Sequence, residues 1–153
     1  MHKRARSWSN WLAVAILFLI VAAGGATLGG SRQSQSDRHS LKNAVSELRS
    51  QAGAGRLVAE QALAGNLTRN YVEAQAGQMS KGVRQTLGEL SPEQFEPELG
   101  AQVMQAADLA RRLEGALKTL KGAGSDGRTA ESARQNLGGL FEELSQLEEG
   151  LKE

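Results

Sequence analysis

Four stretches of the chain repeat apolar or small residues at alternating steps of four and three, and this spacing constrains the fold more than any other feature. It keeps one stripe on a single face of a helix, so each stretch predicts an amphipathic helix. The stripes are Leu41, Val45, Leu48, Ala52, Gly55, Ala59 and Ala62; Val72, Ala76, Met79, Val83, Leu87 and Leu90; Leu99, Val103, Ala106, Ala110, Leu113, Leu117 and Leu120; and Ala133, Leu137, Leu140, Leu144, Leu147 and Leu151, with Phe141 beside the last.

Composition supports helices rather than strands. Runs of β-branched residues are missing outside the N-terminal apolar segment, and Ala, Leu, Glu, Gln and Arg dominate the rest of the chain. The absence of cysteine excludes a disulfide framework, a thiolate metal site, covalent haem attachment and a lipoprotein-type anchor. The predicted fold is all-α: one N-terminal transmembrane or signal helix, followed by an antiparallel bundle of four helices in which coiled-coil-like stripes form the core.

Turn and capping signals set the boundaries of these helices. Ala64-Gly65-Asn66 predicts a break between the first two helices, with Thr68 or Asn66 as N-cap, although one long helix is the alternative. Ser91-Pro92-Glu93-Gln94 predicts a short helical turn and a bend before the third helix. The glycines of residues 122–127 predict the last turn. Asp126 or Thr129 is the predicted N-cap of the fourth helix.

The second strong feature is an apolar segment, Trp11–Leu28, preceded by the basic residues Lys3, Arg4 and Arg6. Its length is near the lower limit for crossing about 30 Å of hydrocarbon. The basic leader favours an N-terminus in the cytoplasm, and residues 11–29 are predicted to be a single-pass signal-anchor. A secretory signal cleaved before Thr27 is the alternative, and both readings carry the rest of the chain across the membrane.

The predicted organisation follows from these segments. Residues 1–10 form a basic cytoplasmic leader, residues 11–29 the anchor or signal, residues 30–38 a polar linker without periodicity, and residues 39–153 a helical bundle outside the cytoplasm, which is periplasmic if the source is bacterial. Asp37 or Ser40 is the expected N-cap of the first bundle helix. The layout is similar to that of the ligand-sensing bundles of bacterial receptors, but there is no second apolar segment, so no family is assigned.

The first two bundle helices carry many small residues, and nine glycines fall inside the four predicted helices: Gly53, Gly55, Gly77, Gly82, Gly88, Gly100, Gly115, Gly138 and Gly139. Each glycine costs up to about 1 kcal/mol against alanine at an exposed site. Either the helices pack closely at these positions, or the bundle is soft and gains burial from a partner. The sequence favours the second reading for the first two helices, whose small-residue face is then a docking surface for another helix.

Candidate chemical groups are few, and no catalytic, cofactor or metal site is predicted. His39 lies two residues after Asp37, and these two side chains are too few ligands for a structural metal site. Arg111-Arg112 is a weak anion-binding candidate, with Asp108 and Glu114 within reach for helical ion pairs. The acidic residues Glu142-Glu143, Glu148-Glu149, Glu89, Glu93, Glu96 and Glu98 are expected to be solvated, and Asn66-Leu67-Thr68 is a glycosylation sequon in a predicted turn.

Charge is unevenly distributed along the chain. Residues 31–90 carry a net charge of +3 and residues 91–153 a net charge of −5. No basic patch is dense enough for nucleic-acid binding, so the expected partners are the membrane and either another protein or a second copy of the chain, through helices. The functional hypothesis is a membrane-anchored, non-enzymatic interaction module acting outside the cytoplasm. The alternative is a ligand-sensing bundle that works with a separate output partner.

Overall fold

The computed structural model describes the backbone of residues 6–123 and 126–151, and the side chains of residues 35–123 and 126–151. Two compact units are present, Met1–Ser36 and Asp37–Glu153. The helices are α1 (Arg6–Leu63), α2 (Arg69–Glu89), α3 (Gly100–Ala123) and α4 (Gly127–Gly150). The connection from α2 to α3 contains two 3₁₀ turns, Pro92–Gln94 and Pro97–Leu99. Across the described backbone there is no strand, which confirms an all-α fold with four helices.

Contacts between neighbouring helices give the direction of each within the second unit. Arg49 of α1 lies beside Glu148 of α4, and Glu60, eleven residues later, lies beside Arg134. Residue numbers therefore rise along α1 as they fall along α4, so the two helices are antiparallel.

The other neighbouring pairs follow the same rule. Residues 40–47 of α1 line a groove with residues 82–89 of α2, and Gln51 approaches Gly82. Helix α3 packs against both α2 and α4. Since short connections join the successive helices, residues 37–151 form an up-down helical bundle.

The core consists of the stripes that the sequence predicts. Every residue of the third and fourth stripes is buried, and only Ala62 and Leu87 of the first two are partly exposed, while still packing on the core. Burial on α3 is wider than its stripe, because Ala107, Leu109 and Ala116 are buried too. Helix α3 has a helix on each side, so a single-stripe description underestimates the face that it buries.

The turns confirm most of the predicted boundaries. Gly65 adopts a φ of 74°, the left-handed conformation that glycine tolerates, and the chain reverses there between α1 and α2. The hydroxyl of Thr68 accepts a hydrogen bond from the backbone N–H of Tyr71, so Thr68 caps α2. The carboxylate of Asp126 accepts one from the N–H of Arg128 and caps α4. Ser91 makes no side-chain cap.

The predicted N-cap of the first bundle helix is wrong. Helix α1 begins at Arg6 and continues through Asp37 and Ser40, so neither residue is its N-cap. The Asp37 carboxylate instead accepts a hydrogen bond from the N–H of Glu96 at 3.2 Å. Glu96 precedes the second 3₁₀ turn, so Asp37 satisfies a backbone donor of the α2–α3 connection rather than one of its own helix.

The apolar segment Trp11–Leu28 lies outside the residues whose side chains are described, so its role as anchor or signal stays a prediction. Among the helices whose side chains are described, none combines the length and the apolar character needed to cross a bilayer.

The nine glycines fall into three groups, so neither the close-packing explanation nor the soft-bundle explanation holds for all of them. At Gly82 and Gly138 a Cβ would meet only a long polar side chain, Gln51 at 3.3 Å and Arg56 at 3.6 Å respectively. A Cβ on Gly55 would lie 2.9 Å from Leu117 and 3.3 Å from Leu137, and a Cβ on Gly53 would lie 3.3 Å from the Phe141 ring. These positions need glycine because α1 closely approaches α3 and α4. By contrast, a Cβ on five other glycines would meet no atom within 4 Å: Gly77, Gly88, Gly100, Gly115 and Gly139.

Candidate functional site

The small-residue face of α1 is not a docking surface. Ala52 and Ala59 are fully buried, and Gly55 between them contacts Leu117 and Leu137 of the neighbouring helices. The expectation that this face awaits a partner is therefore wrong, because α3 and α4 already cover it. Its small side chains allow close packing within the bundle.

A polar groove runs along the outside of α1 and α2. Its main part, about 510 Å³, is lined by Ser40, Asn43, Ala44, Glu47, Gly82, Gln85, Thr86 and Glu89. A second opening of about 270 Å³ shares Ser40, Ala44 and Glu89 and adds Asp37, Gln94 and Phe95. Because the two openings share three residues, they form one depression, which we call the α1–α2 groove.

Helical spacing explains why these residues meet. On α1, positions 40, 44 and 47 recur at steps of four and three, and on α2, positions 82, 86 and 89 do the same. Each set therefore forms one strip beside the buried stripe of its own helix. The floor is shallow because Ala44 and Gly82 have small side chains, and a Cβ on Gly82 would lie 3.3 Å from the amide of Gln51. Close approach of the helices thus limits the groove on the Gln51 side.

Thr86 is the deepest polar residue of the groove. Only 6% of its surface is exposed, and its side chain lines the main part of the groove. The sequence analysis missed Thr86, although its position seven residues after Met79 of the second stripe was a usable signal.

Three carboxylates line the α1–α2 groove, those of Asp37, Glu47 and Glu89, and each has a different environment. Glu47 accepts a hydrogen bond from the amide of Gln51 at 2.6 Å, and Asp37 accepts the N–H of Glu96. Glu89 is exposed and forms no ion pair with any described residue. It is also the last residue of α2, where unpaired carbonyl groups place the negative end of the helix dipole.

No basic side chain lines the groove. Arg84 of α2 points to α3, where it pairs with Glu114 at 3.5 Å, and Arg49 of α1 points to α4, where it pairs with Glu148 at 2.8 Å. On α1, Arg38 and Lys42 lie roughly 140–180° around the helix from the groove strip. The groove lining is consequently acidic, with no basic side chain among its described residues.

The anion site considered at Arg111-Arg112 is not formed. Both terminal nitrogens of Arg112 donate to the carboxylate of Glu143 on α4 at 2.7 Å. The hydrogen bonds lower the pKa of Glu143 and raise the pKa of Arg112. This pair borders an opening of about 360 Å³ between α3 and α4, so the guanidinium beside that opening is already occupied by a carboxylate.

Two of the predicted solvated acids take part in contacts between helices instead. Glu143 holds Arg112, and Glu148 is 8% exposed with Arg49 beside it. Glu142 and Glu149 are exposed as expected. Glu143 and Glu148 differ from Glu142 and Glu149 because an arginine of the neighbouring helix reaches them. The sequence pattern of a single helix does not show which of its faces will lie against another helix.

A strong local pair on α4 gives a testable pH dependence. Arg134 binds the Glu131 carboxylate through two nitrogens, and Gln135 donates to it as well, which lowers the pKa of Glu131 to about 2. A lowered folded-state pKa contributes stability above the ordinary carboxyl pKa, and this contribution is lost as the pH falls from about 4.5 to about 2.

We expect a side-chain NMR titration of Glu131 to show a midpoint near pH 2. In the Arg134→Gln variant the midpoint should move up toward the ordinary glutamate value, because the first cause of the shift is removed. An unchanged midpoint in that variant would contradict the assignment of the shift to Arg134.

The other candidate residues from the sequence, His39 and Asn66, do not form part of a metal or catalytic site among the described residues. His39 is exposed, and the described residues contain no group of three His, Cys, Asp or Glu side chains able to hold a metal ion. The amide of Asn66 donates to Gln61 at 2.9 Å in the α1–α2 turn.

Comparison of the chain with protein-family models, with curated proteins and with solved structures found no match.

Proposed function

We propose that this chain is a membrane-anchored, non-enzymatic helical-bundle interaction module that acts outside the cytoplasm. The apolar segment after a basic leader supports the anchoring and the orientation. A bundle with its own leucine core supports a module that presents a surface rather than one that waits to fold on a partner.

The observation that carries the proposal is the α1–α2 groove. Three carboxylates lie along one accessible depression, and its lining among the described residues contains no basic side chain. A partner that presents lysine or arginine side chains complements this surface. Electrostatic complementarity of that kind gives orientation and a fast on-rate.

The test of the interaction is site-specific photo-cross-linking of the full chain in its host membrane. A photoreactive residue at Gln85, which lines the groove, should give a covalent adduct, and the same residue at Gln146 on the exposed face of α4 should not. The Gln85 adduct should weaken when Glu89→Gln removes a groove charge. Equal adducts at both positions, or an adduct indifferent to Glu89→Gln, would count against the groove as the interface.

The orientation has its own test. A phosphatase fused after Glu153, active only outside the cytoplasm, should be active in the full chain, because the basic residues Lys3, Arg4 and Arg6 favour retention of the N-terminus inside. Substituting all three with glutamine should lower that activity. Activity of a cytoplasm-specific reporter at the same position would refute the proposed localisation.

The concave shape of the α1–α2 groove favours a second candidate function, an extracytoplasmic ligand-sensing bundle with a separate output partner. The main part of the groove, about 510 Å³, is within the size range of small-molecule sites. The same cross-linking experiment separates the two, because a ligand-sensing groove yields no protein adduct at Gln85.

A further inference from the structure

We infer that the outer side of α1 is a dimer interface, on which a second copy of this chain packs its own α1 in a parallel pair. The side in question carries five residues at steps of three and four, which places them on one face of the helix: Asn43, Ser46, Ser50, Gly53 and Leu57. We call it the α1 outer face. Two observations support the inference: an exposed apolar patch at one end of the face, and unpaired opposite charges on its two edges.

The α1 outer face is uncovered within the bundle. It lies on the opposite side of α1 from the buried stripe, and none of its five residues is buried or charged. Leu57 is 56% exposed, and Ala54 on the preceding turn is exposed too. The half-buried ring of Phe141 packs over Gly53 and widens the apolar area. A leucine at that exposure gains free energy when a second surface covers it.

The edges of the face carry charges that the bundle does not pair. Glu47 lies on the edge beside the α1–α2 groove, and Lys42 lies on the other edge, seven residues before the Arg49 that reaches α4. Neither Lys42 nor Glu47 forms an ion pair with a described residue. In a parallel coiled-coil pair, flanking residues of opposite edges meet across the contact when they are five positions apart. Lys42 and Glu47 have this spacing, so a two-fold symmetric pair forms the same ion pair twice.

The charges also select the parallel direction. In an antiparallel pair each edge meets the same edge of the other copy, so Lys42 would face the acid of its own edge, Glu60. Glu60 already holds Arg56 at 3.1 Å. A parallel pair also suits two chains whose N-terminal anchors lie in one membrane, and to that extent the inference rests on the proposed function.

The residues of the face fit a two-stranded contact. An asparagine on the contact face of a coiled coil costs stability but fixes the register, and Asn43 meets Asn43 of the second copy in the parallel pair. The face from Asn43 to Leu57 is roughly 21 Å long, which is a small interface. We therefore expect a weak dimer in solution and a stronger one in the membrane, where anchoring raises the effective concentration.

The experiment is Förster energy transfer between donor- and acceptor-labelled full chains in liposomes, followed as a function of the protein-to-lipid ratio. Leu57→Ala should weaken the dimer about 10-fold and leave the thermal unfolding unchanged, because the side chain is exposed in the single chain. Lys42→Glu and Glu47→Lys should each weaken it about 10-fold, since each places like charges together at two symmetric positions. The double variant should recover most of the loss. Met104→Ala, at a 63% exposed residue of α3, is the matched control and should have no effect.

Single-cysteine variants report the direction, because the chain contains no cysteine of its own. Ser46→Cys should form a disulfide-linked dimer on mild oxidation in the membrane, since the parallel pair brings Ser46 to the same residue of the second copy. Ser132→Cys, on the exposed face of α4, makes the same chemical change away from the interface and should not link.

Four results would overturn the inference: energy transfer that Leu57→Ala leaves unchanged, a double charge reversal no better than either single one, equal oxidation at Ser46→Cys and Ser132→Cys, or a Ser46→Cys adduct whose mass is not twice that of the chain. The last would give the face to a different protein. A dimer that persists while the Gln85 adduct is absent would reject the groove partner alone. A Gln85 adduct without energy transfer would reject the dimer alone.

Discussion

Replacing Leu113 or Leu144 with alanine is expected to lower the free energy of unfolding by about 2–5 kcal/mol in each case. Both side chains are fully buried, Leu113 on α3 and Leu144 on α4. Removing three carbons from such a site loses burial and leaves a cavity that rigid helices fill only in part. With a total stability of about 5–15 kcal/mol for a domain of this size, either change should lower the melting temperature substantially.

The measurement is urea denaturation followed by helical circular dichroism. The control is Glu142→Ala, which truncates an exposed side chain of α4 and should change the unfolding free energy by less than about 0.5 kcal/mol. If all three variants unfold at the same denaturant concentration, the buried stripes do not form the core.

Replacing Gly55 with valine is expected to destabilise the bundle by about 2–3 kcal/mol, although the helix propensity of valine is better than that of glycine. A Cβ at this position already falls 2.9 Å from Leu117 and 3.3 Å from Leu137. Both leucines are fully buried, so they have little room to move. Overpacking between α1, α3 and α4 therefore outweighs the gain of a few tenths of a kcal/mol in propensity.

Gly115→Val is the matched control, because a Cβ at Gly115 meets no atom within 4 Å. The same substitution in α3 should leave the unfolding free energy within about 0.5 kcal/mol of the starting value, or raise it slightly. Similar losses at Gly55 and Gly115 would show that backbone conformation, rather than contact between helices, explains the glycine at position 55.

The glycines bear on function as well as stability. The hypothesis of a soft first half placed the docking surface on the small-residue stripe of α1, and that stripe is inside the bundle. The candidate binding surface instead lies beside the buried stripes of α1 and α2, where polar and acidic residues form the α1–α2 groove. Under the proposed function, a partner would bind to the outside of a completed bundle and would not need to open it.

Much of the fold follows from local rules that a sequence displays. Steps of four and three place residues on one helix face whatever the surroundings, so the four stripes predicted the core, including Leu113 and Leu144. The turns at Gly65 and Asp126 were predictable for the same reason, since a left-handed backbone and an N-cap depend on the residue and its immediate neighbours.

Only the tertiary structure decided which helix faces adjoin. A stripe on one helix does not show that Gly55 meets Leu117, that Arg112 reaches Glu143, or that Asp37 accepts the N–H of Glu96 fifty-nine residues away. These contacts depend on the order and direction of all four helices. The α1–α2 groove depends on them too: Glu47 and Glu89 are unremarkable exposed acids in the sequence. Antiparallel packing brings them to one depression around Thr86, because only neighbouring helix faces, set by the whole bundle, combine residues distant along the chain.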